Sequence, residues 1–282
     1  MKINGWKYYN NAAIPDIPVC LDPNMTPVEN GDIWQLDGSP ILARWTTNFD
    51  CKNETNWWYV IKDTPFDISQ LKAKHRYIIN KGINSFECKK INPAEYVEQL
   101  HKIFLAAYSA WPKKYRPNIC FEGTKNFMEQ LSKESSAICY GAFHKETNEL
   151  CGFSKCELHD THIEFQMLRV KPEYEKQQIN AALVHCLVSD FSSQLQEGGK
   201  FILDGARSIS HETHFQDYLE KYFGFRKAYC NLHIEYNPKI KWAVKTLFVF
   251  RKIFAKFDNI GIMHKINAVL KMEEIVSENK GK

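Results

Sequence analysis

The chain lacks any run of about 18 apolar residues, so no bilayer-spanning helix is expected. Its first residues, MKINGWKYYNNAAIPDIP, lack the apolar stretch of a signal peptide. It has no CxxC. The nine cysteines, at 20, 51, 88, 120, 139, 151, 156, 186 and 230, are odd in number and scattered, and no histidines at zinc spacing accompany the nearest pair, Cys151 and Cys156. Reduced thiols in a cytoplasmic protein, with no metal site, are the expectation. No GxSxG, HExxH or phosphate-loop motif occurs, and no repeat or low-complexity tract. Proline is missing between Pro172 and Pro238, as suits continuous packed elements. Nor is there a large charge of one sign: 37 Lys and Arg face 33 Asp and Glu, which excludes an acidic disordered tail protein and a histone-like basic one.

What is present is a globular composition, 44% hydrophobic and 13% aromatic over 282 residues, enough for one large domain or two small ones. The net +4 is unevenly placed. Residues 237–282 hold ten Lys and Arg against four Asp and Glu, so the preceding 236 sum to −2. Three regions are expected: a β-rich segment 1–84, a domain 85–236, and a basic helical tail 237–282. The first holds five of the seven tryptophans (6, 34, 45, 57 and 58) and six of the eleven prolines. Within it, 32–36, 40–47 and 56–62 read as strands, the first two joined by the turn pair Asp37-Gly38. A helix is expected over 67–82, capped by Asp67 and ended by Gly82.

From 85 the pattern alternates. Strands are expected at 85–91, 137–144, 150–159, 162–170, 200–206 and 226–236. Helices are expected at 93–109, 121–133, 178–194 and 211–222. Three stretches in this order, LRVKPEYEKQQINAAL (168–183), FILDG (201–205) and FQDYLEKYFGFRKA (215–228), resemble the GNAT acyltransferases: strand, phosphate-cradling turn and helix, then the next strand, then a closing helix before Gly-Phe. The resemblance implies an α/β (α+β) fold with a mixed, mostly antiparallel sheet flanked by helices. It also implies an acyl donor such as acetyl-CoA and an amine acceptor. On this likeness Leu168 and Val170 offer backbone groups to the pantetheine arm, and Gln177, Gln178 and Asn180 stand at the phosphate loop. A helix N-terminus there supplies free N–H groups and a positive dipole end. The family's glycines are replaced, with Glu175, Gln178 and Asn180 at the matching places, so side chains stand where backbone should approach a phosphate. Loops without these glycines occur in the Fem-type aminoacyltransferases and the related acetyltransferase-like proteins of polysaccharide loci, which LKAKHRYIINKG (71–82) also resembles. The basic residues of that stretch suit a phosphate or tRNA, or simply a solvated helix face. Hence two further readings: an aminoacyl-tRNA-dependent aminoacyltransferase, and a binding protein without catalysis.

Candidate site residues follow. Glu164 alternates with Ile163 and Phe165 and so faces away from them, and in this family a carboxylate on that strand takes the proton from an attacking amine. Tyr218 or Tyr222 would protonate a leaving thiolate, unless they merely fill the core. Asp204, Arg207, His211 and His214 gather in the turn after a strand's carboxyl end, where ligands commonly bind. His211 would be a base near neutral pH; the alternative is that it opens a helix capped by Ser210. Asp204 and Arg207 would hold substrate. In the tail, Asn237 caps and Pro238 begins a helix to 257, with Trp242, Leu247, Phe250, Ile253, Phe254 and Phe257 on one side and Lys241, Lys245, Lys252 and Lys256 on the other. Such a helix lies on an anionic membrane, on the inner face in a cytoplasmic protein, or docks on the protein's own N-terminal region. A second short helix is expected over 265–276.

Overall fold

A computed structural model describes residues 1–113, 116–209, 214–258 and 261–280. Its strands are β1 (Trp6–Tyr9), β2 (Ala12–Pro15), β3 (Leu42–Thr47), β4 (Trp58–Lys62), β5 (Phe86–Lys90), β6 (Ala137–His144), β7 (Leu150–Leu158), β8 (His162–Val170), β9 (Phe201–Ala206), β10 (Arg226–Tyr229) and β11 (Asn231–Tyr236). Its helices are α1 (Thr26–Glu29), α2 (Ala73–Ser85), α3 (Val97–Ser109), α4 (Phe121–Leu131), α5 (Ile179–Asp190), α6 (Ser192–Glu197), α7 (Phe215–Phe223), α8 (Pro238–Val249), α9 (Arg251–Phe254) and α10 (Gly261–Lys280). The strands form two sheets, β1-β2-β3-β11 and β10-β4-β9-β8-β7-β6-β5. The mixed, mostly antiparallel sheets with flanking helices are the fold class the sequence implied. Two compact units divide the chain differently from the expected three regions: residues 1–60, 206–214 and 227–282 form one, and 61–205 with 215–226 the other.

The first unit opens with a hairpin the sequence reading overlooked. Asn10 and Asn11 both take positive φ, 48° and 65°, the conformation a two-residue turn needs, and Asn tolerates it. Residues 32–36, expected as a strand, form the 3₁₀ turn Asp32–Gln35 instead. Ile33 and Leu36 are both buried, three residues apart, and that spacing fits a helical turn rather than a pleat. The single expected strand over 226–236 breaks at Cys230, and its two halves join different sheets. In this unit β11 pairs with β3 over Asn231–Tyr236 and Leu42–Thr47. The C-terminal helices cover it: Val244, Leu270 and Met272 pack with Ala12, Leu42 and Tyr236. Asn237 accepts from the Lys239 N–H at 3.1 Å, the cap expected at the head of α8.

The second unit carries the antiparallel run β5-β6-β7-β8, with β9 parallel to β8. On one side α3 and α4 close a core of Leu100, Ile103, Phe104, Met128, Leu131 and Phe153. Elsewhere α5 is apolar on nearly every side and buries Ile179, Ala181, Ala182, Leu183, Val184, Leu187 and Val188. The expected helix 178–194 is two helices broken at Phe191, and the helix expected from Asp67 begins only at Ala73. Asp67 caps a separate 3₁₀ turn, accepting from Ser69 N at 2.8 Å. Gly82, expected as a terminator, lies inside α2, because a Cβ there would stand 2.4 Å from the carbonyl oxygen of Gln178.

Candidate active site

The arrangement in the second unit that can do chemistry starts with an open strand edge. β8 has nine residues, and only His162, Ile163 and Glu164 pair with β9, opposite Phe201, Ile202 and Leu203. Its other edge pairs with β7 as far as Val170. From Phe165 onward the β9-facing edge of β8 therefore has no pairing with β9, the kind of strand edge to which an extended ligand can add. Leu168 and Val170 stand on this stretch. Gln166 is an extra residue in β8: Lys155 pairs with Met167 and Cys156 with Phe165, so Gln166 forms a bulge in the ladder.

Asp204 follows immediately after Leu203, the last residue of β9 paired with β8. Burial pushes its carboxyl up to about 7, opposed by a hydrogen bond donated by Gln216 Nε2 at 3.3 Å. A carboxyl poised there exchanges a proton near neutral pH. The sequence reading gave Asp204 only a substrate-holding role, because burial is invisible in a strand of this length. From the first turns of α7, Tyr218 brings a buried hydroxyl with no hydrogen-bond partner among the described residues. Burial raises it above the usual tyrosine range. Its ring lies 6.0 Å from Phe215 and 5.0 Å from Tyr222, and Tyr222 lies 4.9 Å from His75. His211 lies outside the described residues.

Glu164 does face away from the buried Ile163 and Phe165. It stands in a polar group at the other end of β8, where Gln166 Nε2 donates to Glu164 Oε2 at 2.8 Å and to Glu157 Oε2 at 2.7 Å. His159 Nε2 is 3.6 Å from Glu164. Glu157, His159 and Glu164 bring possible metal-ligand atoms within 4.8 Å of one another, with Lys155 3.6 Å from Glu157 competing for that carboxylate. We assign no ion to this group.

The phosphate-loop residues behave unexpectedly. Gln178 takes the left-handed conformation, φ 67° and ψ 38°, which glycine adopts most readily, so a turn of the kind glycine favours forms here without one. The Gln178 carbonyl packs against Gly82, and part of the α5 N-terminus is thereby covered by α2. Gln177 Oε1 lies 3.2 Å from His144 Nε2, and Asn180 is half-buried in the first turn of α5. Arg169, overlooked in the sequence, sits 5.2 and 5.3 Å from the rings of Tyr108 and Trp111 and donates to the Leu168 carbonyl at 2.7 Å. Its only sequence signal was a lone cation in an apolar strand.

Arg207 belongs to the first unit. Its guanidinium lies 4.6 Å from the Trp58 ring, Lys227 lies 4.7 Å from the same ring, and Arg207 donates to the Asn56 carbonyl at 2.6 Å. Two cations on one indole, with no carboxylate partner among the described residues, form a small anion-seeking platform.

No family model matches the chain, and no curated protein matches it in sequence. Among solved structures it is similar to L-PGS from Bacillus licheniformis, with a TM-score of 0.52 at 14% identity, covering 88% of this chain and 84% of that one. A tandem GNAT protein from the clavulanic acid biosynthesis pathway gives a TM-score of 0.47 at 10% identity over 80% of this chain and 75% of that one. PaiA N-acetyltransferase from Thermoplasma acidophilum, in complex with coenzyme A, gives 0.31 at 20% identity over 40% and 73%. The chain shares its fold, mixed and mostly antiparallel sheets with flanking helices, with L-PGS. No helix among the described residues is long and apolar enough to cross a membrane.

Proposed function

We propose that the protein transfers an acyl group to an amine at the opening between β8 and β9. The open β8 edge beyond Glu164 carries this reading. An acyl donor with an extended arm would add to that edge, and a backbone N–H at the Gln166 bulge would polarise the reacting carbonyl. Asp204 would take the proton from the attacking amine, and Tyr218 would return one to the leaving group. Glu164 is the second candidate base. Acetyl-CoA or another acyl-CoA is the donor on this reading, with Leu168, Val170 and the turn at Gln177, Gln178 and Asn180 as its contacts. A coenzyme A complex of the fold relative PaiA supports that choice. We place the acceptor beside an anionic membrane surface that the α8–α9 segment contacts, on a cell-envelope precursor.

The contact of Gly82 with the Gln178 carbonyl favours a second reading. It narrows the place for a pyrophosphate, and a Fem-type aminoacyl-tRNA donor would need no such place. Arg207 then serves phosphate binding beside Trp58 and Lys227. Calorimetric titration with acetyl-CoA separates the two. Saturable binding, with Asp204→Asn binding equally and losing at least a hundredfold in turnover, supports the first. No binding at millimolar donor, together with transfer from aminoacyl-tRNA, supports the second. No turnover with either donor leaves a non-catalytic binding protein and overturns both.

A further inference from the structure

The C-terminal helices present two faces. Val244 is buried and Leu247, Phe248 and Phe254 pack inward on Leu42, Tyr236 and Leu270. Opposite them Trp242 is 78% exposed and Val249 72%, and Phe250, Ile253 and Phe257 are exposed too. The sequence left open whether this segment docks on the protein or meets a membrane; the structure splits its apolar residues between an inner and an outer row. The outer row spaces as 242, 249, 253 and 257, one face of a helix, and Lys245, Lys252 and Lys256 follow three residues after its members. None of these three lysines has a carboxylate partner among the described residues.

On the side of α9 that faces α10 lies a cavity of about 390 Å³, reached from the row across Lys252. Its wall includes the cations Arg251, Lys252 and Lys271 and the carboxylates Asp258 and Glu274, with Asn267 and His264 further along. Arg251 is tied to Glu274 at 2.9 Å and His264 to Asp258 at 2.9 Å. Asn267 donates to Asp258 and to the Phe254 carbonyl. Two cations remain for a ligand: Lys252, and Lys271, whose ammonium reaches only the Ile209 carbonyl at 3.4 Å. A cavity of mixed lining with two ammonium groups that no carboxylate pairs, on the segment that carries the exposed aromatic row, suits an anionic phospholipid: apolar chains toward Phe250, Ile253 and Phe257, headgroup phosphate at Lys252 and Lys271.

We propose that this cavity is a headgroup site for an anionic phospholipid and that the outer row of α8–α9 enters the bilayer interface around it. The inference rests on the membrane contact proposed above, and is independent of the acyl donor. The test is flotation of the full chain with phosphatidylcholine vesicles, with and without phosphatidylglycerol. The chain is expected to float only with the anionic vesicles. Lys252→Gln with Lys271→Gln should lower partitioning roughly 25-fold, about fivefold for each charge lost. Phe250→Ser, Ile253→Ser and Phe257→Ser together should abolish it. All five side chains are exposed or line the cavity, and unchanged circular dichroism would verify the fold of both variants. Loss only in the serine variant would overturn the headgroup site while keeping the membrane contact. Equal flotation of all variants, or of none including the wild type, would overturn both. Inorganic phosphate that displaces the chain from vesicles at micromolar concentration would mark a free-phosphate site and overturn the lipid assignment. Acetyl-CoA binding is measured without vesicles, so its failure leaves this result standing.

Discussion

α5 and the α8–α9 segment are both rich in apolar residues, yet they are used in opposite ways. α5 has no lysine or arginine and places Ala181 and Ala182 where neighbours come close, so every side can be covered. α8 and α9 alternate lysines with large aromatics. Only their inner row is covered, and among the residues of α8 only Val244 is fully buried. Apolar content alone does not decide burial; the small residues that allow close approach and the charges that forbid it do.

Substitutions can break that comparison, the largest effect first. Leu183→Ala leaves a cavity in the best-packed helix and should cost about 3 kcal/mol in urea unfolding. A cost as small as that of a surface change would show that α5 is not the core it resembles. Gly82→Ala forces a methyl group to within 2.4 Å of the Gln178 carbonyl, backbone that cannot swing away. It should cost about 2 kcal/mol through overpacking, and a neutral result would mean that α2 and α5 sit further apart.

Lys62 provides a pH-dependent test. It is buried, donates to Thr64 Oγ1 at 3.2 Å, and burial pulls its ammonium down to about 8. Between about pH 8 and pH 10.5 the unfolded chain binds more protons than the folded one. Stability from this residue is therefore fully present above the unfolded value and is lost as pH falls through 8. The contrast should reach roughly 2–3 kcal/mol. Lys62→Met should gain stability relative to wild type at pH 7 and lose that advantage toward pH 10.5. A difference that stays constant with pH would contradict the burial of a charge there. The smallest change is expected at Val249→Ser on the outer row. Unfolding in buffer should move by no more than about 0.5 kcal/mol, where a similar truncation of Val184 in α5 should cost several times as much.

Much of the second unit was legible. The strands near 137–144, 150–158 and 162–170 alternate cleanly, and the Leu-Arg-Val-Lys-Pro turn before α5 marked the fold. The site was legible by place more than by role. Asp204 stands out for its position after a strand, and the upward shift of its pKa comes from burial that no local pattern reports. By residue type Gln178 is an obstacle in a phosphate loop, whereas the backbone holds it in the left-handed conformation between the flanking turn and α5. The Asn10-Asn11 hairpin is a local signal that the prolines following it obscure.

By itself the sequence determined the alternation of strands and helices after residue 85, the location of the basic charge in the last sixth of the chain, and the capped start of α8, because each depends on neighbours within a few residues. The tertiary structure alone decided the break at Cys230 that sends β10 and β11 to different sheets, the open edge of β8, and the division of the C-terminal aromatics into a covered and an exposed row. Those depend on partners far away in sequence, and a strand or helix carries no local record of which of its edges will be left without one.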